Sequence, residues 1–277
     1  MAFSVIGGFY VLLILAMLLS DVSFLSPAVN GGTLRHHPFW SIREMIASAV
    51  APLHSPEIRY AMKLSMCSCS ITAILSLYVA IPMGYLLSRF QFPLKGLVDV
   101  VIDIPIVLPP LVIGLSLLIM FQTPIGRAVD RVVPMTYAVP GVVLAQFSVA
   151  CAFAVRTMRA AFDQLNPRAE QVAMTLGCSR FGAFWRVTLP EVRSGVLTAG
   201  TLAWARALGE FGPILVFSGA TRLRTEVLPT SVFLELSVGN IEAAVAVSIL
   251  MVVAAVAVLL IVRYAGSGVA LSIGGRP

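Results

Sequence analysis

"NPRAEQVAMTLGCSRFGAFWRVTLP" (Asn166–Pro190) interrupts a chain that is almost unbrokenly apolar on either side of it. Asn166 is a good helix N-cap, and Pro167 suits the first helical position, where its missing N–H would have had no partner. Gly177 can take the left-handed conformation that ends a helix. These residues predict a free-standing helix from Pro167 to Leu176. At roughly ten residues it is marginal alone in water and has to dock on something. Its apolar side chains, Val172, Ala173, Met174 and Leu176, are too few for a membrane surface, and small Ala173 permits close approach to a protein groove. Phe181, Phe184 and Trp185 then suit a membrane interface, and Leu189-Pro190 leads back into apolar sequence.

The flanks set the solvent. The 277 residues are 58% hydrophobic and 12% charged, about half the charged share of an ordinary soluble domain. No charge lies between Met1 and Asp21, Lys63 and Arg89, Asp103 and Arg127, Arg131 and Arg156, or Glu242 and Arg263. Each gap approaches or exceeds the roughly 20 apolar residues that carry a helix across a bilayer. Ser194 to Gly219 is equally apolar apart from Arg206 and Glu210. The reading is an all-α membrane protein with about six transmembrane helices, near residues 2–20, 64–88, 98–121, 134–156, 194–219 and 241–263. Continuous runs, rather than alternating ones, exclude barrel strands.

In a soluble protein the net charge of +6 would suggest nucleic acid. Here the charge reports orientation, and no nucleic-acid partner is expected. Arg156, Arg159, Arg168, Arg180, Arg186 and Arg193 flank or occupy the link between the fourth and fifth spans, which places that link, and with it both termini, in the cytoplasm. The first span has no positively charged start and no small-residue cleavage site before Asp21, so it reads as a retained helix. The chain divides into a first helix with an external loop (1–58), a core of five helices (59–265) and a cytoplasmic tail (266–277). The external loop holds a short amphipathic helix near Phe39 to Val50, and Ser55-Pro56 reads as the cap and start of the helix into span two. Cys67, Cys69, Cys151 and Cys178 form no disulfide framework and read as structural. His36 and His37 lack further ligands, so no metal site is expected, and with His54 also external no histidine lies in a span.

Two spans carry unusual residues. Asp99 and Asp103 sit one turn apart where span three enters from the cytoplasm, a place where negative charge suits a helix start. Pro105, Pro109 and Pro110 predict a bend, which either improves packing or lines a path. In span five Arg206 lies roughly 18 Å along from Ser194 and Glu210 roughly 24 Å, too deep to snorkel easily to the cytoplasmic side. Spaced i,i+4, they meet on one face, either as a self-neutralising pair or with Arg206 on an anion path and Glu210 holding its rotamer. Phe211, beside Gly209, Gly212 and Pro213, is a candidate gate plug. Ser116, Ser148, Thr198 and Thr201 supply hydroxyls for a path or for helix-to-helix hydrogen bonds.

The spacing Gln171-Val172-Ala173, three residues, Gly177, nine residues, Val187-Thr188-Leu189-Pro190 resembles the EAA loop of permease subunits of binding-protein-dependent ABC importers. The family form is Glu-Ala-Ala, three residues, Gly, nine residues, Ile, one residue, Leu-Pro. Gln171 stands where the family has Glu, and Glu170 sits one place early. "IDIPIVLPPLVIGL", "ARALGEFGPILVF" and "TEVLPTSVF" are similar to permeases of the molybdate, tungstate and sulfate group, and the resemblance runs from Arg59 to near Val262.

The resemblance implies a type I importer permease in the cytoplasmic (inner) membrane. Its cytoplasmic helix inserts into a cleft on a separate ATPase, with Glu170, Gln171, Val172, Ala173, Gly177, Leu189 and Pro190 as coupling residues. It further implies a homodimer of permease chains in lipid, two ATP-binding cassette subunits carrying ATP and Mg, and an extracytoplasmic binding protein. Pro109, Ser116, Arg206, Glu210 and Phe211 are the candidate path or gate. The chain has no Gly-x-x-x-x-Gly-Lys-Ser/Thr phosphate loop, so it is expected to bind no cofactor and to catalyse no reaction. Molybdate or tungstate is the expected cargo, with sulfate or thiosulfate as the alternative. An ion-coupled carrier would need buried carboxylate or histidine chains and inverted repeats. A membrane enzyme would need converging catalytic groups within the spans.

Overall fold

Proline placement sets most helix boundaries in this chain. The computed structural model describes residues 12–18, 20–21 and 55–271, and the described secondary structure is helical. Residues 12–18 and 20–21 are helical. The rest of the first expected span, the expected helix at Phe39–Val50 and all three histidines lie outside the described residues. Helix α1 (Pro56–Arg89) starts at its proline, with the Arg59 N–H donating to the Ser55 carbonyl at 3.2 Å. This is the start expected from Ser55-Pro56, and "PEIRYAMK" carries the helix from there into the apolar run expected from 64. Pattern reading marks the apolar stretch, not the polar turns that extend it.

Span three is two helices, not one. Helices α2 (Lys95–Val107) and α3 (Pro110–Gln122) meet at a bend of 112°. A residue preceding proline is pushed out of the helical region. Leu108 precedes Pro109 and Pro109 precedes Pro110, and both are extended, with ψ of 141° and 133°. Two consecutive non-helical residues break the span, whereas Pro105 alone is carried inside α2. Helix α4 (Pro124–Val132) follows, capped by the Thr123 side chain, which accepts from the Gly126 N–H at 3.1 Å. The Asp130 carboxylate then accepts the N–H groups of Met135 and Thr136 at 2.7 and 2.9 Å, tying off the loop.

Helix α5 (Val139–Gln164) replaces the expected 134–156. It starts late because the Asp130 loop precedes it and ends late because "TMRAAFDQ" remains helical. After the Asn166–Pro190 region, helices α6 (Arg168–Thr175) and α7 (Arg180–Ala183) lead through a π-helical turn (Phe184–Thr188) and α8 (Leu189–Glu191) into α9 (Arg193–Leu208). Span five is likewise split, with a break before α10 (Gly212–Phe217). Helices α11 (Leu228–Ser237) and α12 (Ile241–Leu271) complete the described chain. Among the described residues three helices are long and apolar enough to cross a membrane, or up to four if the bent pair is one span.

The described chain forms two compact units, one of residues 1–64 and 220–254, the other of 65–219 and 255–277. In the first, Tyr60 donates to the Arg224 carbonyl at 3.0 Å, Arg222 and Asn240 hold Glu235, and Ser231 donates to buried Glu226 at 2.8 Å. In the second, α5 packs along α9, so closely that a β-carbon on Gly195 would lie 2.5 Å from the Ala161 side chain. Small side chains let membrane helices approach closely, which substitutes for a hydrophobic drive that lipid does not supply.

Candidate coupling helix and gate

Helix α6 is built by its caps. It runs from Arg168 to Thr175, one residue shorter at each end than expected, with Pro167 at the N-cap position and the Asn166 side chain just before it accepting the Arg168 N–H at 3.0 Å. At the other end the Gly177 N–H donates to the Met174 carbonyl at 3.0 Å and the Cys178 N–H to the Ala173 carbonyl at 3.1 Å, the two bonds of a Schellman cap. That cap needs a left-handed residue, and Gly177 has φ of 91°. A β-carbon there would meet nothing within 4 Å, so the requirement for glycine is one of backbone conformation.

The two sides of α6 differ. Gln171, Val172, Thr175 and Leu176 are exposed, Leu176 by 81%, while Ala173 is half-buried. Glu170, expected among the docking residues, is turned inward and buried. Its carboxylate accepts from the Tyr85 hydroxyl and, at 3.2 Å, from the Thr188 hydroxyl, with Arg89 Nε 3.9 Å away. One residue along a helix is a rotation of about 100°, which is enough to put Glu170 and Gln171 on different faces. Leu189 is half-buried and Pro190 exposed in the short helix α8, where they turn the chain into span five.

The breaks in spans three and five come together. Pro109, Pro110, Arg206, Glu210, Phe211 and Gly212 line a cavity of about 270 Å³. Two glycines make the approach possible: a β-carbon on Gly114 would lie 2.8 Å from Pro213 Cα, and one on Gly212 would lie 3.0 Å from Leu111 N. Arg206 Nη1 is 2.5 Å from Glu210 Oε1, and its guanidinium sits over the Phe153 ring at 5.5 Å. The pair is asymmetric, the Arg206 side chain being 28% exposed and that of Glu210 only 1%. Of the expected path residues Pro109, Arg206, Glu210 and Phe211 converge; Ser116 is exposed on α3 and is not among the lining residues.

The sequence comparison places this arrangement of helices in a known family. Residues 80–270 match the family of the binding-protein-dependent transport system inner membrane component. The chain belongs to that family. It is 35% identical over 76% of its length to the molybdenum transport system permease protein of Mycobacterium tuberculosis, covering 80% of that protein. It is 34% identical to the molybdate/tungstate transport system permease protein of Thermococcus kodakarensis over 60% of this chain and 64% of that protein. It is 29% identical to the sulfate transport system permease protein of Escherichia coli over 74% of this chain and 75% of that one. Among solved structures, a bacterial ABC transporter that imports the acidic polysaccharide alginate contains a chain of the same fold, with a TM-score of 0.66 at 16% identity, covering 92% of this chain and 95% of that one. The permease is thus a multi-pass inner-membrane protein of a transport system, not a catalytic chain.

Several contacts of the permease join residues that sequence spacing does not pair. Asp99 pairs with Arg159 and Asp103 with Arg156, so the acidic turn of α2 is held by the basic end of α5. Buried Gln146 on α5 accepts from Thr72 at 3.2 Å and donates to the Ala207 carbonyl at 3.2 Å, joining α1, α5 and α9. A lone amide in an apolar run was the available signal. Ser148, Thr198 and Thr201 each donate to a carbonyl of their own helix, at 2.7, 2.9 and 2.6 Å. At the ends of α5 and α9 a second cavity, of about 460 Å³, is lined by Thr157, Gln164, Glu191, Ser194 and Thr198 among others. All four cysteines are free, and among the described residues no cluster of three His, Cys, Asp or Glu is placed to hold a metal.

Proposed function

We propose that the permease forms the membrane path of an ATP-driven importer for a tetrahedral oxyanion, molybdate or tungstate. Supporting this reading are the relatives named for those anions and, above all, the guanidinium of Arg206, more exposed than its counter-ion Glu210, in the lining of the cavity between the two broken spans. A site that presents a cation and hides its counter-ion favours an anion. The gate is the contact of the two broken spans, with Phe211 as plug and Pro109 as hinge. The larger cavity at the ends of α5 and α9 serves as the exit on the cytoplasmic side, where both termini also lie.

Helix α6 presents Gln171, Val172, Thr175 and Leu176 to a separate ATPase. Two identical permease chains pair around one path, with one ATPase beneath each carrying ATP and Mg, and a loaded binding protein docks outside. No covalent chemistry is required of this chain, only two packings biased from opposite sides. Sulfate is the second reading, favoured by the relative named for sulfate.

The test is uptake by proteoliposomes holding the permease, its ATPase and its binding protein. ATP-dependent molybdate uptake, competed by tungstate and weakly by sulfate, is the expected result. Stronger competition by sulfate replaces the cargo. Uptake without ATP overturns the importer reading.

A further inference from the structure

Glu170 has no role on the exposed side of α6, and its burial has a specific shape. The carboxylate is gripped by two elements that are distant in sequence: Tyr85 of α1 and Thr188 of the π-helical turn, with Arg89 of α1 3.9 Å off. Arg89 also donates through Nη2 to the Leu165 carbonyl at 3.2 Å, where α5 ends and the chain enters the coupling segment. The Tyr85 ring is set edge-on against Phe162 and Phe184 at 5.6 and 4.8 Å and against Phe90 at 6.0 Å. Tyr85 and Arg89 are one turn apart on one face of α1. The last turn of α1 therefore holds the entry to α6 at Leu165, its inner face at Glu170, and through Glu170 the exit at Thr188.

We infer that α1 is the output lever of the coupling helix, and that Glu170 with Tyr85 and Thr188 forms the latch that transmits the load. Without the latch, a displacement of α6 reaches the membrane only along the chain. One route is back through the single extended residue Leu165, and the other is forward through a π-helical turn, a geometry that is rare and commonly marks a functional deformation. Both covalent links are compliant, whereas charge-assisted hydrogen bonds to a buried carboxylate are short and directional. The latch ties the end of α1 beyond Pro82, which holds Tyr85 and Arg89, to α6. This inference rests on the reading that α6 docks an ATPase. It assigns Glu170 a positioning role inside the permease, and leaves Gln171 and its exposed neighbours as the docking surface.

The test uses Tyr85→Phe, which keeps the ring in its aromatic cluster and deletes only the hydroxyl, and Thr188→Val, which keeps the side-chain shape. The complete importer in proteoliposomes is assayed for ATPase retention, for basal hydrolysis, and for molybdate taken up per ATP hydrolysed. Loss of a hydrogen bond to a charged group predicts roughly a tenfold fall in molybdate moved per ATP. ATPase retention and basal hydrolysis stay at wild-type values. A structural role alone would lower retention and hydrolysis together and leave the ratio unchanged, and that outcome overturns the latch. So does an unaltered ratio in both variants. If the wild-type chain itself retains no ATPase, the docking reading fails and the latch with it, a result distinct from either of the others.

Discussion

Replacing Arg206 by alanine strands Glu210, whose side chain is 1% exposed and whose oxygens accept no well-formed hydrogen bond from any other group. Removing one partner of a buried pair costs about 3–5 kcal/mol. Because 28% of Arg206 is open, solvent screens part of the interaction, and about 2–3 kcal/mol is the reasonable figure. Loss of the Phe153 contact adds about 0.5–1 kcal/mol. For a chain of this size the sum corresponds to a fall in melting temperature of roughly 6–12 °C. The double variant Arg206→Ala with Glu210→Ala leaves no stranded charge and is expected to return to within about 2 kcal/mol of wild type. Thermal unfolding in detergent, followed by tryptophan fluorescence, reads all four corners of the cycle. A double variant no more stable than Arg206→Ala refutes the isolated pair. Molybdate uptake separates the roles: restored stability with uptake still abolished is predicted if Arg206 lines the path, and wild-type uptake would reduce the pair to a structural one.

Gly114→Ala drives a methyl to 2.8 Å from Pro213 Cα, a backbone atom that cannot swing away. Overpacking of this kind costs about 1–3 kcal/mol, so a lower melting temperature together with solute leak through separated α3 and α10 is expected. Glu226 gives a pH dependence. Burial is the main cause that pushes its carboxyl above the ordinary value of 4.5, against the opposing Ser231 hydrogen bond and Arg222 charge. With the folded value raised, its contribution to stability is full below about pH 4.5 and is lost as pH rises through the raised value. Glu226→Gln is expected to flatten melting temperature against pH across that window, and an unchanged slope contradicts the assignment. Asp130 has the opposite sign: the Thr136 and Met135 N–H groups hold its carboxyl below the ordinary value of 3.8, so its stabilisation is present above that pH and fades as pH falls. Asp130→Asn is expected to lower the melting temperature at neutral pH and to bring it closer to wild type in acid.

The legible parts of the fold were those governed by local chemistry. Gly177 and Pro56 act on their own backbone or on residues a turn away and stand where their type predicts, and Asn166 caps the helix start from one place before the N-cap. The Pro109-Pro110 pair announced a bend, although its full break depends on two successive pre-proline residues that a single-span reading runs through. Arg206 and Glu210 are i,i+4 neighbours, so their meeting was foreseeable. Their unequal exposure was not, since it depends on how α3 and α10 cross. Partners far apart in sequence were also hidden. Nothing near Tyr85 points to Glu170, and Asp99 and Asp103, which the sequence suits to a helix start, lie beyond the first turn of α2, where arginines of α5 pair with them. Helix ends overran the apolar runs at both α1 and α5, because polar turns continue a helix once its middle is packed.

On the proposed reading the capped helix α6 joins this permease to a motor. The measurement is co-purification of the tagged chain with the cytosolic ATPase of its native host, comparing wild type with Gly177→Asp. A β-carbon at Gly177 meets no neighbouring atom within 4 Å, and the substitution strains a backbone at φ of 91°, so the membrane helices are expected to stay folded while the helix end and its dock are spoiled. A stoichiometric ATPase on the wild type and its loss from a variant of unchanged melting temperature is the predicted result. Equal ATPase on both chains, with equal uptake, would contradict α6 as the coupling element.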